Sequence, residues 1–137
     1  MIIKSFNVND LKNTKCNFFL FYGENDGHKE DIIYNFFIKE LGVEFIKYDE
    51  NQILDNRDSF FETCFNESLF GEKKIIQVSR VTSKLYEIIK ELKGKNILDK
   101  KIIFNSGPLE KKSKIRQLFE KEKKLICIPF YQDNNIS

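Results

Sequence analysis

The chain has one histidine, three cysteines and no long apolar run in its 137 residues, and each shortage removes a class of function. His28 has no second histidine with which to share a metal, and no serine or cysteine is arranged beside it for nucleophilic work. Cys16, Cys64 and Cys127 are odd in number, far apart and without ligand spacing. They read as reduced thiols in or near a core. No stretch approaches the roughly twenty apolar residues of a membrane span, and no signal-peptide apolar segment is present. The expectation is a cytoplasmic protein with no membrane partner. There is also no basic tail, internal repeat or low-complexity linker. The 23 basic and 21 acidic residues leave a formal charge of +2, with signs mostly alternating as on solvated helix faces. That balance supplies little general attraction to DNA or to anionic membrane.

What remains is apolar and regular. Hydrophobic residues make up 41% of the chain, with 14 phenylalanines, which is enough for one domain that needs no disulfide or metal to hold it. Phe18-Phe19-Leu20-Phe21-Tyr22 reads as a buried strand closed by Gly23, and Val43 to Tyr48, Lys74 to Val78, Lys101 to Phe104 and Leu125 to Phe130 read as four more. Helical spacing appears from Lys29 to Leu41, stopped by Gly42, and at Phe60, Phe61, Cys64 and Phe65, with Asp58-Ser59 offering an N-cap. Two further helices are expected over Ser83 to Leu92, ended at Gly94, and over Ser113 to Lys121. Strand and helix alternate throughout. The predicted fold is therefore an α/β three-layer sandwich on a five-stranded, mainly parallel sheet.

One strand–turn–helix junction invites a nucleotide. Gly23-Glu24-Asn25-Asp26-Gly27-His28-Lys29-Glu30 stands where a phosphate-binding loop belongs, and that loop needs Gly-x-x-x-x-Gly-Lys-Ser/Thr. Gly23 and Lys29 fit. His28 replaces the second glycine and Glu30 the hydroxyl, where a carboxylate would repel phosphates and disturb a magnesium ion. The third strand ends Gln77-Val78-Ser79-Arg80, with no acid to hold that ion. The site is predicted to be degenerate, with no cofactor. Asp49 and Asp99 read as turn acids, and Asn105 as a turn former.

Two other features suggest docking. Asn66-Glu67-Ser68-Leu69-Phe70-Gly71 places two large apolar residues after a helical pattern and ahead of Glu72-Lys73-Lys74. Leu69 and Phe70 either finish the core or, with Gly71 permitting a tight reversal, stand at a tip as a plug. Full burial of each in a partner's pocket would contribute roughly 1.5–3 kcal/mol, the scale of a modest hot spot. Lys111, Lys112, Lys114 and Arg116 gather at a helix start, where the dipole favours acids. They read as a solvated face or as candidate contacts to DNA or a neighbouring subunit.

Taken in order, Phe18 to Glu24, Ser68 to Ile76, Leu109 to Arg116 and Ile128-Pro129-Phe130-Tyr131 resemble the N-terminal domain of the delta subunit of the bacterial DNA polymerase III clamp loader. The resemblance runs essentially end to end. It implies an AAA+ or P-loop-NTPase-like fold with an eroded nucleotide site and no activity of its own, inside a complex that serves a DNA-directed DNA polymerase, a nucleotidyltransferase. It implies the beta sliding clamp as partner, bound through Leu69 and Phe70 and opened. Asn66 falls where clamp-binding peptides tend to carry glutamine, with Ser68 between. It further implies that the family's C-terminal domains, which join gamma/tau and delta prime, lie outside residues 1–137. Two rival readings remain beside it, a nucleotide-binding enzyme using Lys29 and a receiver-like or generic α/β scaffold.

Overall fold

Phe18 to Phe21 carry no polar side chain and Tyr22 only a terminal hydroxyl, so a strand built from them must be covered on both faces. The structure is a computed structural model that describes residues 1–4, 11, 14–39, 43–66, 73–95, 97 and 100–131. In it Phe18–Gly23 (β1) is the inner strand on which the rest is arranged. It is followed by α1 (Asp26–Ile33), which continues as a π-helical turn over Tyr34–Ile38, and by β2 (Val43–Asp49), α2 (Glu50–Asp55), α3 (Arg57–Phe65) and β3 (Lys73–Ser79). A short 3₁₀ turn (Ser83–Leu85) leads into α4 (Tyr86–Lys93), and β4 (Lys100–Ser106), α5 (Lys114–Lys121) and β5 (Leu125–Phe130) complete the order. The five strands lie in the order β2-β3-β4-β1-β5, and every pairing is parallel. Parallel neighbours require crossover connections, which the helices supply. A receiver-like sheet would run 2-1-3-4-5, so the receiver-like form of the scaffold reading does not describe this chain.

Side-chain alternation divides the core in two. Phe18, Leu20 and Tyr22 join Ile76, Val78, Ile102 and Phe104 beneath α2 to α5, where Ile53, Phe60, Leu85, Ile89 and Phe119 are fully buried. Phe19 and Phe21 point the other way with Ile75, Ile103, Ile126 and Ile128, and α1 covers them through Ile32, Ile33 and Phe37. The Phe37 ring meets Phe19 edge-on at 5.0 Å. Leu41 and Gly42, expected to close this helix, lie outside the described residues.

Three local expectations need correction. α2 stands where a plain turn is expected: Asp49 caps it, accepting from the Asn51 backbone N–H, while the Gln52 side-chain oxygen accepts from the Asp49 backbone N–H at 2.7 Å. α3 starts two residues early, because Asn56 rather than Asp58-Ser59 is the cap, accepting from the Ser59 N–H at 3.2 Å. On α3 Phe60 and Cys64 are buried against the sheet, and half-buried Phe61 packs against the same core. Phe61 and Phe65 follow one position later, about 100° around the helix, and stack on each other at 5.8 Å, with Phe61 at the core margin and Phe65 exposed. Among the described residues no helix is long and apolar enough to cross a membrane.

The cysteines are free thiols, two buried and Cys16 half-buried. Burial pushes the Cys64 and Cys127 thiols up from an ordinary value of 9.0 to about 12. The folded state therefore holds these protons where the unfolded chain releases them. Their contribution to stability is complete below pH 9.0 and is lost as pH rises toward about 12. Within that window the expected loss is about 1.4 kcal/mol per pH unit for each thiol. Urea unfolding at pH 8 and at about pH 10.5 checks this. A midpoint that stays constant would contradict the burial of both thiols.

Candidate functional site

The carboxyl ends of β1 and β4 meet the start of α1, the corner where a phosphate loop would lie. Gly23 turns there with φ +123°, and a Cβ on it would stand 1.9 Å from the Phe130 carbonyl oxygen. Only glycine accepts both the positive φ and the closeness of the β5 backbone. Asn25 then caps α1, its side-chain oxygen accepting from the His28 backbone N–H at 3.1 Å. The His28 ring stands edge-on to Phe130 at 5.1 Å, and Glu30 points to solvent.

Lys29 is almost fully buried, at 1% exposure. Its Nζ donates to the Gly23 carbonyl at 2.7 Å, the Ser106 carbonyl at 2.8 Å and Asp26 Oδ1 at 3.1 Å. A lysine ammonium has three donors, and all three are engaged. The side chain that would reach toward a phosphate instead ties the end of β1 to the end of β4. Lys29→Met is expected to leave two inward carbonyls without their donor and to cost about 2–3 kcal/mol in chemical unfolding. An unchanged midpoint would mean that the ammonium does not hold the strand ends.

The next strand ends are closed in the same manner. Arg80, just after β3, has φ 57° and pairs through Nε with Asp49 Oδ2 at 2.6 Å. The Asn51 backbone N–H and the Arg80 guanidinium hold the Asp49 carboxyl below its ordinary range. Buried Glu50 accepts from the Thr82 backbone N–H at 2.7 Å and its hydroxyl at 2.8 Å. Asp49 thus caps and pairs, and Asn105 continues β4, its carbonyl accepting from the Val81 N–H at 3.0 Å. Asp99 lies outside the described residues. No cluster of three or more metal-binding side chains is found among the described residues.

The basic segment separates into two kinds of residue. Arg116 donates to Glu120 Oε2 at 3.1 Å and to the Leu109 carbonyl at 2.7 Å, with its guanidinium 5.0 Å from the Tyr22 ring centroid. Burial pushes that tyrosine up to about 12, against the opposing pull of Arg116. Lys111, Lys112 and Lys114 stay exposed at the α5 start, where Ser113 is the cap; Lys112 has Glu110 at 3.5 Å. Arg116 anchors the segment, and the three lysines form its solvent face.

At the opposite, amino edge of the sheet, α3 ends at Phe65. Exposed Asn66 caps it, with its backbone N–H donating to the Glu62 carbonyl at 2.9 Å. Ser68, Leu69 and Phe70 lie outside the described residues, between this cap and the start of β3 at Lys73. The exposed ring of Phe65, with Lys95 Nζ at 5.4 Å, is the described part of this end of the helix. The outward turn of Phe65 was not foreseen, although its position one residue after Cys64 carries the signal.

Comparison with protein-family models and with curated proteins finds no match for this chain.

Proposed function

We propose that this chain is a clamp-docking module, similar to the N-terminal domain of a clamp-loader delta subunit, that binds a beta-type sliding clamp through Leu69 and Phe70. The observation that carries the reading is the state of the corner that nucleotide chemistry would need. Lys29 has all three donors engaged by Gly23, Ser106 and Asp26. Arg80 stands after β3 where a metal-binding acid would be required, and it is paired to Asp49. A strand, a turn and a helix follow one another at this corner, and Lys29 there acts as a structural tie. This favours a non-catalytic member of an AAA+-like fold over an enzyme that uses Lys29.

The docking half of the reading rests on the sequence resemblance and on how α3 is held. Phe60 and Cys64 are fully buried, so the helix leading to Asn66 is fixed on the sheet. A short segment extending from a fixed helix loses less freedom on binding than one on a loose arm. Binding that prefers an open clamp would shift the clamp population toward opening, since a ligand moves an equilibrium only by its differential affinity. ATP would act on the loader's other subunits and govern whether this surface is exposed. Lys111, Lys112 and Lys114 remain candidate contacts to DNA or to a neighbouring subunit in that assembly. Titration of a beta-type clamp with the wild-type chain and with Leu69→Ala/Phe70→Ala tests the proposal, and loss of binding in a variant that still folds is the expected result.

A further inference from the structure

Three separate approaches to the amino edge of the sheet enclose a cleft of about 450 Å³. Lys15, Cys16 and Asn17 lead into β1, Lys93 and Lys95 flank Gly94 at the end of α4, and Lys123-Lys124 form the turn into β5. Hydrogen bonds hold these walls in place. Asn17 Nδ2 donates to the Ile97 carbonyl at 3.0 Å and the Lys100 carbonyl at 2.7 Å, and Lys101 Nζ donates to the Cys16 carbonyl at 2.9 Å.

The charge of the lining is one-sided. Five of its ten described residues are lysines and none of the ten is acidic, in a chain whose 23 basic and 21 acidic residues nearly balance. Lys93 is paired, with Glu122 Oε1 at 2.6 Å, and this pairing holds the Glu122 carboxyl below its ordinary range. Lys15, Lys95, Lys123 and Lys124 form no ion pair among the described residues, although Lys124 lies close enough to Glu122 to help hold its carboxyl in the charged form. Like charges converging on a concave surface repel one another, and an anion in the cleft would relieve the repulsion. The volume is within the usual range of about 300–1,000 Å³ for ligand sites. Phe18, the one aromatic among the described lining residues, is 5% exposed and presents no open face on which a base would stack.

We propose that this cleft is a phosphate-binding site, reading charge without sequence, for the backbone of a nucleic acid or for a free polyphosphate. It lies at the opposite sheet edge from the Lys29 corner and from Lys111, Lys112 and Lys114, and it does not depend on the clamp-docking reading.

The test is fluorescence anisotropy with a labelled oligothymidylate of about 20 nucleotides in about 50 mM salt. Exposed Lys15, Lys123 and Lys124 are changed together to glutamate. The control is Lys47→Glu/Lys84→Glu/Lys90→Glu, an equal change of charge at exposed lysines outside the cleft. Thermal melts confirm that both variants fold. Tripolyphosphate and polyglutamate serve as competitors. The cleft variant is expected to bind at least tenfold more weakly than wild type, with the slope of log affinity against log salt shallower by about 2, and the control within about twofold. Displacement by tripolyphosphate at an equal phosphate concentration would assign the site to free polyphosphate, and resistance to it would assign the site to the nucleic-acid backbone. The proposal is overturned by absent wild-type binding, by equal weakening in the two variants, or by polyglutamate competing as well as the oligonucleotide. The last outcome would point to an acidic protein surface.

Discussion

Gly23→Ala is expected to destabilise the chain by about 3–5 kcal/mol, enough to leave a marginally stable domain largely unfolded. Two costs coincide there. The φ of +123° lies in a region that side chains rarely adopt, and the added Cβ would stand 1.9 Å from the Phe130 carbonyl oxygen and 2.7 Å from its carbon. Both clashing atoms are backbone, in the parallel register that pairs Gly23 with Phe130. Relief therefore requires β1 and β5 to separate, and a rotamer change cannot supply it. Gly27→Ala is the internal control. It lies in the first turn of α1, and its nearest neighbour to a new Cβ is Asn25 Oδ1 at 3.9 Å. There alanine should be neutral or stabilising by about 0.5–1 kcal/mol. Urea midpoints of the two variants check the pair; a Gly23→Ala protein as stable as Gly27→Ala would contradict the close approach of the turn to β5.

The parts of the fold that could be read from the sequence are those where burial leaves a simple pattern. β5 is buried along its whole length, and β1 up to Gly23, so each shows as an unbroken apolar run. α4 and α5 show as amphipathic stripes because each covers one sheet face through Ile88, Ile89 and Leu92 or through Ile115, Leu118 and Phe119. α2 is six residues long and Ile53 is its one buried apolar side chain, so periodicity carries little signal; the legible clue was the Asp49–Gln52 capping pair. The strand order has no local signature. Nor does the fate of Lys29: one of its carbonyl partners is six residues away and the other is 77. The lysine cleft was hidden for the same reason, since the fold gathers Lys15, Lys93, Lys95, Lys123 and Lys124 from three distant stretches. The Leu69–Phe70 pair is legible only as sequence, since it lies outside the described residues.

The second large effect is expected in binding. Two apolar side chains seated in a clamp pocket together contribute about 3–6 kcal/mol. Removing both should therefore weaken the complex by about a hundredfold or more. Stability should change little, because α3 is held on the sheet by Phe60 and Cys64, both ahead of the pair. A core role would reverse the pattern, since large-to-small changes of two buried residues cost several kcal/mol of folding stability. The decisive measurement is calorimetric titration of a beta-type sliding clamp with the wild-type chain and with Leu69→Ala/Phe70→Ala, alongside the melting temperature of each. Wild-type binding that disappears in a variant with an unchanged melt is the predicted result. No wild-type binding, or a double variant that unfolds, would contradict the docking function.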